Sequence, residues 1–175
     1  MKMAVIGCGL IGGSMALSWK RAGIVDEVIA FGHNPATLQK ALDKGAADTV
    51  TTSMEEAVKD ADIVVSAVPV EAMESVFTEM APFLKSDAVV TDVGSTRQTV
   101  IAAARKGLGD KFHQYAPAHP IAGGEMPGVD YASADLFDEK VVISTPDEGM
   151  GPKVVTFIEE AWRKAGARVQ AMSPL

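Results

Sequence analysis

The stretch Ala118-His119-Pro120-Ile121-Ala122-Gly123-Gly124-Glu125 sets one imidazole ahead of a proline and a glycine pair, just past an apolar run. Imidazole, with an ordinary pKa of about 6.5, is the side chain best matched to proton transfer near neutrality, so His119 is a candidate catalytic base or acid. His113, on the way into that run, reads as an ordinary surface residue. Asp92-Val93-Gly94-Ser95 closes another apolar run. Ser95 with Gln98 has the form of a helix N-cap, and its hydroxyl, which both donates and accepts, could also face a crevice.

Gly7-Cys8-Gly9-Leu10-Ile11-Gly12 is a Gly-x-Gly-x-x-Gly pattern between an apolar run and a helical periodicity. In that setting the first glycine permits a tight turn and the second admits a pyrophosphate close to backbone. The third lets helix and strand approach each other, and the helix amides from Leu10 and Ile11 onward face the phosphates. Gly7, Gly9, Leu10, Ile11 and Gly12 are therefore candidate dinucleotide-binding residues. Cys8 reads as a small residue at a crowded turn.

About twenty residues beyond such a loop, a carboxylate that accepts from the ribose 2′-hydroxyl would select NAD. Here the place holds Gly32-His33-Asn34, with no acid. Glycine leaves room for a 2′-phosphate and His33 and Asn34 could donate to it, so the reading leans to NADP over NAD. Val68-Pro69 ends a further apolar run. It reads equally as a strand terminator or as a rigid loop passing the nicotinamide ribose. Gly94 would sit beside it.

These residues need a scaffold that gathers them. Strand-length apolar runs (Met3–Ile6, Val28–Phe31, Ile63–Val68, Ala88–Val93, Val141–Ile143) alternate with helical periodicities that stop at Gly23, Gly45, Gly107 and Gly166. Ser53-Met54-Glu55-Glu56 has the form of a capping box opening a short helix. Runs without alternation suit strands buried on both faces of a parallel sheet. Tyr115–Ala118 is expected as a weaker strand because Pro117 lacks a ladder donor. His119–Asp138 is expected as a long functional loop with one helical turn, and Arg168–Met172 as a last strand. The expected fold is α/β, a Rossmann-type doubly wound and mostly parallel sheet, whose strand carboxyl ends would bring every candidate to one crevice.

The chain has 175 residues, 47% of them apolar and 22% charged, which suits one compact domain, 1–175. Its net charge of -7 argues against nucleic acid or an anionic membrane as partner. One cysteine supports neither an internal disulfide nor a thiolate metal cluster, and fits a reducing cytoplasm. No run reaches the roughly 20 apolar residues of a membrane span, and the apolar stretch before Cys8 is too short for a signal peptide. Ser173-Pro174 reads as a link into a further element.

Taken together, the glycine loop Gly7–Ser14, Asp92–Ser95 and His119–Glu125 resemble the nucleotide-binding domain of the prephenate and arogenate dehydrogenase family of tyrosine biosynthesis. The last two motifs carry most of that resemblance, which spans nearly the whole chain. It implies a helical domain beyond this chain that forms a homodimer and supplies an arginine for the substrate carboxylate. It implies also that His119 takes the proton of the ring hydroxyl as hydride leaves for the nicotinamide and carbon dioxide departs. Ser95 would hydrogen-bond that hydroxyl, and Glu125 would help arrange the pocket. Where the family often has lysine two places after the serine, this chain has Arg97, to which no role is given. The competing expectations are another small-substrate NAD(P) dehydrogenase, or a dinucleotide-binding module without chemistry.

Overall fold

In the computed structural model, residues 1–94, 97–121 and 128–173 are described. Ser95, Thr96, residues 122–127 (which include Glu125), Pro174 and Leu175 lie outside them, as does the expected Ser95 cap.

The elements run β1 (Lys2–Ile6), α1 (Leu10–Arg21), β2 (Glu27–Phe31), α2 (Pro35–Asp43), β3 (Thr49–Thr51), α3 (Met54–Val58), β4 (Ile63–Ser66) and α4 (Val70–Met80). They continue with β5 (Val89–Asp92), α5 (Arg97–Leu108), β6 (Ala118–Pro120), β7 (Val141–Ser144), α6 (Pro152–Lys164) and β8 (Arg168–Ala171). The first five strands form a parallel sheet in the order β3-β2-β1-β4-β5. Strands β6-β7-β8 form a second sheet in which β6 is antiparallel to β7, and β7 parallel to β8.

The unalternating strands are buried on both faces, as the runs implied. Met3, Val5, Val28, Ala30, Ile63 and Val65 point into a core built with α1 and α6 around Trp19 and Trp162. Ala4, Ile6, Ile29, Phe31 and Val64 point into a core built with α3, α4 and α5 around Phe77 and Met80. The sheet is thus doubly wound. Gly23, Gly45 and Gly166 end the preceding helices at φ +76°, +80° and +103°, values a side chain would strain.

Two expectations are corrected, and one strand was not foreseen. Strand β3 is short and its Thr-Val-Thr sequence carried no apolar signal. At Ser53 only half of the capping box forms: its hydroxyl accepts from the Glu56 N–H at 3.2 Å, while its own N–H donates to Thr51 Oγ1 at 3.0 Å. The strand expected at Tyr115–Ala118 divides its pairing. Tyr115 bridges Val90 in parallel, and Ala118–Pro120 pairs antiparallel with β7, with the Ile121 N–H donating to the Val141 carbonyl at 2.7 Å. The chain changes partners where Pro117 cannot donate, so His119 lies within a strand rather than past its end.

Candidate active site

One rung crosses the parallel sheet. Phe31, Ile6, Ser66 and Asp92 are register partners on β2, β1, β4 and β5, and each strand ends there. Gly32, Gly7, Val68 and Gly94 follow within two residues, so parallel pairing alone gathers them on one edge. Tyr115 bridges Val90 on β5, and the chain runs on from there into β6, which bears His119. Ligands of open α/β sheets bind outside this carboxyl edge.

The glycine loop has the stereochemistry its residues predict. Gly7 has φ +92°, and a Cβ added there would stand 3.1 Å from the Ala67 carbonyl and from Val68 Cγ1. A Cβ at Gly12 would stand 2.7 Å from the Gly7 carbonyl oxygen, which fixes how closely α1 rides on β1. A Cβ at Gly9 would meet nothing within 4 Å. Gly9 also opens α1, whose N-terminus has no side-chain cap and no acidic residue in its first turn. Half-buried Leu10 and Ile11 provide the first helical amides there. Open space above Gly9 and an uncapped helix end are the fit that a dinucleotide pyrophosphate requires.

Beside the loop lies a hollow of about 110 Å³ whose walls include Gly7, Cys8, Gly32, His33, Asn34 and Thr37. His33 is exposed and its ring meets that of Phe31 edge-on at 5.2 Å. Asn34 Oδ1 is taken up as the cap of α2, accepting from the Ala36 and Thr37 N–H groups at 2.9 and 3.4 Å, which leaves Nδ2 as its donor. Burial pushes the Cys8 thiol up to about 11, in keeping with a packing role. Thr37 was missed in the sequence, although three residues after a helix cap is where a side chain returns to the capping loop.

Val68 is half-buried against Gly7, and Pro69 is exposed as the N-cap of α4. Gly94 is half-buried, and a Cβ there would stand 2.8 Å from Val100 Cγ2. His119 is half-buried on β6 opposite Ile143. Ser95 and Glu125 fall outside the described residues.

Sequence reasoning overlooked Asp92 and Tyr115 as site residues. Both are buried, and the Tyr115 hydroxyl donates to Asp92 Oδ1 at 2.5 Å while the Gly94 N–H donates to Oδ2 at 2.7 Å. Burial pushes the Asp92 carboxyl up to about 7 although both donors favour its charged form. The available signal was an acid closing an otherwise apolar strand.

The family model described as prephenate dehydrogenase, nucleotide-binding domain, matches residues 15–171. Cyclohexadienyl dehydrogenase of Zymomonas mobilis is 36% identical over 98% of this chain and 58% of that protein. Prephenate dehydrogenase of Bacillus subtilis is 32% identical over 96% of this chain and 45% of that protein. A crystal structure of prephenate dehydrogenase from A. aeolicus, in complex with hydroxyphenyl propionate and NAD+, superposes with a TM-score of 0.91 at 32% identity, covering 99% of this chain and 60% of that one. The chain thus spans about half to three-fifths of the relatives it matches. With 157 residues inside the family's span (171 - 15 + 1) and its fold shared almost end to end, the chain belongs to the prephenate dehydrogenase nucleotide-binding domain family.

Proposed function

We propose that residues 1–175 are the dinucleotide-binding domain of an NAD(P)-dependent dehydrogenase that oxidatively decarboxylates prephenate or arogenate. A helical domain beyond this chain would complete the substrate site and a homodimer, in the cytoplasm. The observation that carries this reading is the shared rung: the glycine loop, Gly32, Val68 and Gly94 follow it on one edge, and the strand bearing His119 leads on from the bridge of Tyr115 to β5.

Gly7, Gly9, Gly12 and the amides of Leu10 and Ile11 would hold the pyrophosphate, with Gly32, His33 and Asn34 beside the adenine ribose and Val68, Pro69 and Gly94 along the nicotinamide side. A bound nicotinamide supplies the hydride acceptor. His119 takes the proton of the ring hydroxyl as hydride leaves that carbon, the ring carboxylate departs as carbon dioxide, and the ring becomes aromatic. Ser95 hydrogen-bonds the same hydroxyl, and Glu125 orders the pocket around the substrate. Supporting NADP over NAD, the place of the 2′-hydroxyl carboxylate is Gly32, and exposed His33 and Asn34 Nδ2 can donate to a phosphate.

In the protein assayed with prephenate and arogenate, His119→Asn lowers turnover by about 10²–10⁴, the usual worth of a general base, and leaves dinucleotide affinity nearly intact. Unchanged turnover removes His119 from the mechanism. Tighter binding of NAD than of NADP in a direct titration overturns the cofactor preference.

A further inference from the structure

The carboxyl end of β5 carries a group that the proposed chemistry leaves unused. Asp92 is 1% exposed, at the end of Val89-Val90-Thr91. A carboxyl group in such a place is costly unless donors hold it. Its two donors come from opposite sides of the site: Gly94 N–H at 2.7 Å from its own strand's exit, and the Tyr115 hydroxyl at 2.5 Å from the approach to β6. The Tyr115 ring is fixed in turn by Phe77 and Phe112, each with its centroid 5.6 Å away. Beside this pair, Thr91 Oγ1 donates to the Ala116 carbonyl at 2.6 Å, and the Ala116 N–H to the Val90 carbonyl at 3.0 Å. The two segments are stitched together, and Asp92–Tyr115 is the side-chain stitch nearest Gly94, with the Ala116 bonds continuing the join one residue closer to His119.

We propose that Asp92 and Tyr115 form a positioning pair that fixes the Gly94 turn against the strand bearing His119, so that the nicotinamide side of the crevice and the proton-transfer group keep a constant alignment. The catalytic consequence rests on the dehydrogenase reading above, whereas the coupling between Gly94 and β6 does not.

Among the described residues, the other groups packed near Asp92 are uncharged. Ser66 on β4 is its register partner, with the Ser66 hydroxyl on Met73 Sδ of α4 at 3.0 Å, and Val100 of α5 packs toward Gly94. Among the described residues Tyr115 is the titratable group that acts on it, and burial together with the carboxylate lifts that phenol well above its ordinary range. An ionised carboxylate accepts from both donors at full strength, and a protonated one surrenders acceptor capacity. The stitch therefore tightens as pH rises through the carboxyl's own titration.

Amide resonances of the isotopically labelled chain test this directly. The Gly94 amide proton is expected to move downfield between pH 5 and 9 with a midpoint near 7, and Asp92→Asn abolishes that movement. The Ala118 amide carries a matching component that disappears in Tyr115→Phe, a change that keeps the ring packing. Gly94 and Ala118 amide resonances that stay where they are in wild type when Tyr115 is replaced (Tyr115→Phe) overturn the proposal. In the protein assayed for dehydrogenase activity, Tyr115→Phe lowers kcat by about 10-fold or more at unchanged dinucleotide KM, as misplacement of a reacting group does. An unaltered kcat removes the catalytic consequence. If the wild-type protein turns over neither prephenate nor arogenate while the amide coupling is present, the dehydrogenase reading fails and the pair stands.

Discussion

Gly9 and Gly12 belong to one turn, yet a methyl group added to each would meet different surroundings. At Gly12 it would press on the Gly7 carbonyl at 2.7 Å and on Val5 at 3.0 Å, both held in place by β1. At Gly9 it would enter open space. Gly12→Ala is accordingly expected to destabilise the chain by about 1–3 kcal/mol, as overpacking does, despite the better helix propensity of alanine. Gly9→Ala costs less stability than Gly12→Ala and weakens dinucleotide binding at least roughly 10-fold, since the added methyl would occupy the path proposed for the pyrophosphate. Urea unfolding and a dinucleotide titration on both variants separate the effects. A Gly9→Ala chain that binds normally would place the pyrophosphate elsewhere.

The elements vary in how openly local sequence announces them. Helix α6 is legible because Ile158, Ala161, Trp162 and Ala165 recur at helical spacing, and all four are buried. Trp162 is fully buried, edge-on to Trp19 at 5.5 Å and to Phe137 at 5.0 Å. Trp162→Ala should therefore cost about 3–5 kcal/mol in equilibrium unfolding, and a loss under about 1 kcal/mol would mean that α6 contributes little to that core. The parallel character of β1, β2, β4 and β5 was legible too, because a strand buried on both faces cannot hide its β-branched run. Strand β6 was not. Its pairing is decided by Val90 and β7, each more than twenty residues away in sequence, and the local residues show only that Pro117 cannot donate. The same distance hid the Tyr115–Asp92 bond, which joins residues 23 apart. The glycine turn was readable because the positive φ of Gly7 and the close approach at Gly12 are local stereochemistry.

For the whole molecule, a ligand that binds only the folded chain raises its stability in proportion to the logarithm of its concentration. A dinucleotide at about 100 times its Kd adds about 2.7 kcal/mol, or roughly 5–10 °C in Tm for a chain of this length. The shift should be larger with NADP than with NAD at equal concentration, and a scan showing no shift with either would leave the fold without its ligand. Among the described residues no helix is long and apolar enough to cross a membrane. The single cysteine of the chain sits inside the glycine turn, 4% exposed and with its thiol held near 11. Thiolate is the form that alkylating reagents and peroxides attack, so the folded chain presents them with almost nothing. Once the turn opens the sulfur becomes ordinary and reactive. Its modification by a maleimide thus counts unfolding events, a built-in clock for how often this fold comes apart.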